Sequence, residues 1–262
     1  MLADGHPLDL RYSCPVAGHR QGDLTLGAKS WFFLSADYSL GVQLEADSRR
    51  VIEATGGNVV GAVKHPVNTP DFSSFLLQAQ SSKADVIALA DAGGDFINAV
   101  KQAAEFGITH QQKLAGLIVF IADIHSLGLP SAKGLMLSSA FYWDLNGETR
   151  EWSKRFVDKT QKVPTMIHAG TYGAVAHYLR AVEAAGTLDG PTVAARMREM
   201  PVNDFMTSNG RIREDGRLIR GMYLFASSRR KSRNTGSTTT SYSRPFPGKK
   251  RSGRWRKEDA RS

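Results

Sequence analysis

The chain is expected to fold as an α/β protein built on a parallel sheet with helices on both faces. Three observations predict this. From about Lys29 to Ala226 short apolar runs alternate with amphipathic ones. The apolar runs are too short and too continuous to be amphipathic helices, as strands buried on both faces are. Gly, Pro, Asn and Asp cluster at the junctions, where chain reversals need them.

Taken in order, "KSWFFLS" reads as the first strand. "ADYSLGVQLEADSRRVIEATGG" follows as a helix with Leu40, Leu44, Val51 and Ile52 on one side, ended by Gly56 and Gly57. "NVVGAVKH" is the second strand. "NTPDFSSFLLQAQSSK" is a helix with Thr69 as N-cap, Pro70 at its first position and Phe72, Phe75, Leu76 and Ala79 as its buried face. "ADVIALAD", "AGGDFINAVKQAAEFGI" and "KLAGLIVF" repeat the strand, helix, strand unit, and "GLMLSSAFYW" is one more strand after a short connection around Ser126 to Lys133. Right-handed crossovers between such strands make the sheet parallel. After Trp143 two helices follow without a strand between them, "GETREWSKRFVDKTQ" and "HAGTYGAVAHYLRAVEAAG". The second carries Tyr172, Val175, Ala176, Leu179 and Val182 at helical spacing, a stripe that needs a partner surface. A helix "GPTVAARMREM" precedes "NGRIREDGRLIRGMYLFAS", where Asp215 and Gly216 mark a hairpin turn.

Composition narrows the function classes. The chain of 262 residues has a net charge of +9, but residues 227–262 hold 12 Lys or Arg against Glu258 and Asp259, a formal +10. The body is therefore close to neutral, and the basic balance that would suggest a polyanion partner sits in one terminal segment. One cysteine, Cys14, excludes a disulfide within the chain and a zinc ribbon. No apolar run reaches the roughly 18 residues of a membrane span, and the N-terminus lacks the pattern of a secretory leader. "GGNVVG" has no phosphate-loop lysine, no G-x-S-x-G elbow occurs, and the seven histidines form no H-x-x-x-H pair. No catalytic residue, metal site or cofactor is expected, and the chain is not read as an enzyme.

The stretches "KSWFFLSADYSLG", "DFSSFLLQAQSSKADVIALADAGGDFINAVKQAAEFGI", "FIADIHSLG", "SSAFYWDLN" and "NGRIREDGR", in this order and spacing, resemble the periplasmic substrate-binding proteins of branched-chain amino acid ABC transporters. The resemblance covers about Gly27 to Ala226. It implies two Rossmann-like lobes joined by crossing strands, the type I periplasmic-binding-protein fold, with a small ligand held in the cleft. The ligand implied is an amino acid or related organic acid, and the partner in intact relatives is an ABC permease. Lobe two corresponds to residues 24–146, a helical return to a partial lobe one to 147–186, and a closing helix and hairpin to 187–226. With most of lobe one lacking, weak or absent ligand binding is expected. The family is periplasmic; without a leader, the chain as written is expected to stay in the cytoplasm. The rival readings are a cytoplasmic ligand-sensing domain of the same fold and a nucleic-acid-binding protein acting through the tail. No nucleic-acid partner is expected under the leading one.

Ligands of open α/β sheets bind beyond the carboxyl ends of the strands. Tyr38, in the loop after the first strand, matches the place where the family presents an aromatic ring to the ligand; its alternative role is to staple its own helix. In "ADAGGD" the two glycines let the backbone approach a ligand, and Asp91 can accept from an ammonium, while Asp95 reads better as an N-cap. Asp123 falls near the position from which relatives offer a carboxylate, with His125 able to hydrogen-bond beside it; a strand-end carboxylate can equally be structural.

The ends of the chain read differently. Family members continue past the last strand with a segment like D-Y-Y-K-L-L-A-T-I-P-G-E-E-A-F-R-P. Synonymous codons for Ser237 to Arg254, read in another frame, spell that sequence. Pro7 to Tyr12 likewise yield H-W-T-Y-D-T, similar to the family before its "SWFFL" strand. Residues 1–23 and 227–262 are thus expected to be out-of-frame translations, the second a basic and disordered tail without a role of its own. Sequencing the genomic DNA across both ends should find these alternative frames open, and codons incompatible with them would exclude the reading.

Overall fold

The computed structural model describes residues 28–226. Residues 1–27 and 227–262, on which the out-of-frame and basic-tail expectations fall, lie outside the described residues. The chain divides into two compact units, the first reaching Val119 and taking in Ser126–Ser138, the second formed by Phe120–His125 and everything from Ser139 onward.

The first unit is built on β1 (Ser30–Ala36), α1 (Ser39–Ala54), β2 (Asn58–His65), α2 (Ser73–Ser81), β3 (Val86–Ala90), α3 (Gly93–Glu105), a 3-10 turn at Ile108–His110, β4 (Lys113–Gly116) and β5 (Met136–Ser139). The strands run in the order β2-β1-β3-β4-β5, and every neighbouring pair is parallel. β1 thus sends its chain first to one side, to β2, and then back past itself to β3. The crevice between the carboxyl ends of β1 and β3 is the point at which the winding reverses.

Local chemistry fixes these elements. Asp85 starts β1 by accepting the Lys29 and Ser30 amides at 2.7 and 2.9 Å. All five residues of β3 are buried, as expected for a strand with neighbours on both edges and helices over it. Phe33 and Ala88 pack on Ile52 of α1, while Leu44 and Ala90 pack with Ile118. Ser35, fully buried in β1, donates its hydroxyl to the Glu45 carboxylate at 2.7 Å and so ties strand to helix. Leu44 and Ile52 are buried as the helical spacing predicts, whereas Leu40 and Val51 are half-buried at the edge of that face.

Two element readings need correction. α2 begins at Ser73, three residues after Pro70, and Thr69 is not its cap: the Thr69 hydroxyl donates to the Pro66 carbonyl, while the Asp71 carboxylate takes the Ser73 amide at 2.8 Å. The Asp71 side chain wins because it sits two residues ahead of the amide it captures, the geometry of an Asx turn. The connection between β4 and β5 is also helical, as α4 (Ile121–Leu127) and α5 (Leu129–Ala132), with Gly128 at φ 73° between them. "KLAGLIVF" accordingly stops being a strand at Gly116.

The second unit holds α6 (Gly147–Thr160), α7 (Met166–Ala185), α8 (Gly190–Glu199), β6 (Val202–Asp204), β7 (Thr207–Ile212), β8 (Leu218–Ile219) and β9 (Tyr223–Ala226). β7 and β8 form the expected antiparallel hairpin, with Gly216 at φ 81° in the turn, and β6 adds a third strand that the sequence reading lacks. Its aromatic core centres on Trp152, stacked on Phe205 at 4.4 Å, with Phe141 and Tyr172 edge-on to both rings. α7 buries Met166, Ala169, Gly173, His177 and Ala181. Of the stripe read from the sequence, Val175 and Leu179 are 53% and 58% exposed, while Tyr172 at its edge reaches the Trp152 and Phe205 rings. Among the described residues no helix is long and apolar enough to cross a membrane.

The first turn of α1 meets the sheet through Gly41. A Cβ there would lie 2.1 Å from the Ala36 carbonyl oxygen and 2.9 Å from that of Ala90, the last residues of β1 and β3. Backbone on both sides cannot yield locally, so Gly41→Ala should lower unfolding free energy by about 3 kcal/mol, measured by urea denaturation.

Candidate functional site at the carboxyl edge of the sheet

The winding of the first unit brings together the loops that leave β1, β2 and β3. Each loop contributes a different chemistry. After β1, Tyr38 stands as the N-cap residue of α1 with extended backbone, and its side chain makes no capping bond. After β3, Ala92 occupies the same place ahead of α3, again without a side-chain cap, and Gly93 takes φ 61°. The first amides of an α-helix have no acceptor within the helix. At α6, α7 and α8 side chains of Asn146, Thr165 and Asp189 supply one; at α1 and α3 no N-cap side chain does. Two helix N-termini favourable to negative charge therefore flank the reversal point of the sheet. A Cβ added at Gly93 or Gly94 would meet nothing within 4 Å, so the loop backbone has open space before it.

Beneath these amides lies a buried acid. Asp91 is 1% exposed, and neither carboxylate oxygen has a hydrogen-bond partner among the described residues. Its nearest basic group is His65, the last residue of β2, itself fully buried, with Nε2 3.6 Å from Asp91 Oδ2. The other ring nitrogen, Nδ1, donates to the Pro66 carbonyl at 2.9 Å, and Phe72 packs edge-on at 4.8 Å. Burial pushes the Asp91 carboxyl above the ordinary carboxylate range, and the adjacent His65 only partly opposes this. For His65 burial favours the neutral ring, but Asp91 and the Pro66 carbonyl outweigh it and raise its pKa above the usual histidine value. Tyr38 is 40% exposed at the rim; partial burial and the negative charges of Asp91 and Asp95 raise its phenol.

Asp95 does not cap α3 as expected. It lies in the first turn, and its carboxylate accepts the Asn68 amide at 2.9 Å from the loop after β2. The bond ties two edge loops together and holds Asn68 at φ 61°. His65 was not singled out by sequence reasoning; the available signal was a histidine ending an apolar strand immediately before the "PVN" loop.

Tyr38 and Asp91, two of the candidate residues, thus share one edge of the first unit. Asp123 and His125 belong to the second unit. Asp123, in the first turn of α4, turns its carboxylate back to the Phe120 amide at 2.8 Å, the N-terminal half of a capping box. Burial raises its pKa and that hydrogen bond lowers it, with burial the larger effect. His125 lies exposed two residues further on. Among the described residues no cluster of three or more His, Cys, Asp or Glu could hold a metal ion.

The geometry assigns Asp123 a capping bond whatever else it does. Asp123→Ala should destabilise the protein by about 1 kcal/mol, while Asp123→Asn, whose amide oxygen can still accept, should lose less than half of that. Thermal unfolding of both variants checks this.

Comparison with known proteins agrees with the architecture. The family model for periplasmic binding proteins matches residues 19–232. A periplasmic binding protein of Burkholderia mallei is 47% identical, with a TM-score of 0.74 over 79% of this chain and 55% of that one. A branched-chain amino acid ABC transporter periplasmic ligand-binding protein of Burkholderia xenovorans is 39% identical, with a TM-score of 0.74 over 82% and 58%. An amino acid ABC transporter substrate-binding protein of Pseudomonas fluorescens is 26% identical, with a TM-score of 0.71 over 78% and 56%. No curated protein matches the sequence. The chain therefore spans rather more than half the length of these solved relatives. A parallel sheet wound as described, carrying this match over most of its length, places the chain in the periplasmic binding protein family, whose members bind solutes and are not enzymes.

Proposed function

We propose that this chain carries ligand-binding residues of an ABC-transporter solute-binding protein for an amino acid or related small organic acid. One observation carries the reading: the uncapped N-termini of α1 and α3 meet at the point where the sheet reverses its winding, with an aromatic ring at the rim and carboxylates below. Free amides suit a ligand carboxylate, Asp91 and Asp95 suit an ammonium, and Tyr38 offers a face to an aliphatic or aromatic side chain. The open backbone at Gly93 and Gly94 allows a ligand to approach main-chain groups directly. Asp123 and His125, in the second unit, are proposed as ligand contacts in their own right. Delivery to a permease in the periplasm follows from the amino acid transporter relatives and belongs to this proposal.

Affinity is the finer part of the reading. The matched segment spans only 55–58% of these relatives, and a cleft closed from two sides by hinge motion buries far more of its ligand than one edge can. Binding by this chain is therefore expected to be weak but measurable. Leucine should bind in the millimolar range, followed by ligand-observed NMR, and Tyr38→Ala should weaken it at least about fivefold. Unchanged affinity in that variant would remove Tyr38 from the site.

A further inference from the structure

The pair at the floor of this edge is more than a packing detail. His65 and Asp91 are both sealed from solvent, 3.6 Å apart, and three of their polar atoms, His65 Nε2 and both Asp91 oxygens, have no hydrogen-bond partner among the described residues. A buried carboxylate left in that state is costly, and a single proton held between the two groups relieves most of the cost. The proton can reside on the imidazole, as an ion pair, or on the carboxyl, as a neutral pair; either way the two groups together carry no net charge. Losing it leaves one unit of negative charge buried below the free amides of α1 and α3.

We propose that His65 and Asp91 share one buried proton, and that this proton sets which charged group of a ligand the edge accepts. This rests on the edge being a ligand site. With the proton present, a carboxylate can settle against the two helix N-termini without facing a net charge from the pair. With the proton gone, the negative charge beneath repels the carboxylate and attracts an ammonium. Reciprocity requires the converse: a bound carboxylate tightens the pair's hold on its proton, and a bound ammonium loosens it.

The other charged groups around the pair sharpen the effect. Asp95, from α3, is the further acid whose charge acts on both groups; Tyr38, from α1, stays neutral, since its phenol is pushed up. On α2 the neighbours of His65 are the rings of Phe72 and Phe75, which carry no charge and exclude water. Asp37 and Lys64, beside the ends of β1 and β2, pair with each other at 3.7 Å and are well exposed. Among the described residues, the shared proton is thus the charge at this edge whose binding the fold strengthens. Because both groups hold protons more tightly folded than free, the proton is present below the ordinary histidine midpoint and leaves as pH rises above it.

Two analogues of leucine, each keeping one of its charges, test this in the full chain. Isocaproate has the carboxylate alone and isoamylamine the ammonium alone, and neither titrates between about pH 6 and pH 9. Raising pH across that range should weaken isocaproate about fivefold and strengthen isoamylamine by a similar factor. Asp91→Asn and His65→Gln should each abolish the opposed trends. In NMR titrations of the unliganded protein, the His65 ring signal, assigned by its loss in His65→Gln, should titrate above the ordinary histidine value, and Asp91→Asn should bring it below. If His65→Gln does not fold, Asp91→Asn decides both readings, the ring signal then being assigned as the one that this replacement shifts. Probes that bind with no opposed pH trends, or a His65 midpoint indifferent to Asp91→Asn, overturn the proposal and leave the site intact. Failure of leucine and both analogues to bind at any pH overturns the site itself, and the proposal with it.

Discussion

The contact on which the first unit depends is the seating of α1 directly on the carbonyl ends of β1 and β3. Parallel strands place all their carboxyl ends at one edge, and something must meet those carbonyls there. At this edge the first turn of α1 does so, close enough that only the hydrogen of Gly41 fits between helix and strands. With α1 fixed, Tyr38 is held at its N-terminus and the Ser35 to Glu45 bond locks the helix along β1. β3 is then the neighbour that closes the crevice, and the loop it releases brings Asp91 and the glycine pair opposite Tyr38. The candidate site is a by-product of how two strands and one helix can pack.

The second unit follows other rules. Its core is aromatic, organised around the Trp152 and Phe205 stack, and its helices carry the side-chain caps that α1 and α3 lack. α7 turns a face of small residues inward, with Gly173 against the Asp204 side chain and the His177 ring donating to the Met197 carbonyl at 3.0 Å. Its larger apolar side chains face outward. Reading the sequence for the most hydrophobic stripe therefore found the open face, because close helix packing in this unit uses glycine and alanine instead of bulk.

Most of the sheet was legible because central strands buried on both faces leave continuous apolar runs, as β3 does; "NVVGAVKH" also matches β2 residue for residue, although its side chains alternate between exposed and half-buried. Which side chain captures which amide was not legible, whether the bond is local or spans a long stretch of sequence. Thr69 looked like a cap, but Asp71 intercepted the amide. Asp95 looked like a cap of its own helix and instead holds Asn68, 27 residues earlier. The helices α4 and α5 were hidden because one is only seven residues long and the other four, too short for a periodic pattern to register. At the candidate site, the residues leaving β1 and β3 could be located from strand ends and from the family resemblance, while the His65 and Asp91 pair could not. Two residues 26 positions apart become partners only once the strand order is known.

β3 has a consequence for motion as well as for placement. Its five residues are entirely buried and paired on both edges, by β1 and β4, so its amides lack any local route to solvent. Their hydrogen exchange then has to wait for unfolding of the whole unit, whereas the loops beyond β1 and β2 can open on their own. Asp91 follows immediately at the end of β3, so the acid at the floor of the edge is mounted on the slowest-moving part of the unit. The ring at the rim and the acid below it consequently belong to different timescales: Tyr38 can adjust to a visitor while Asp91 stays where the sheet has put it.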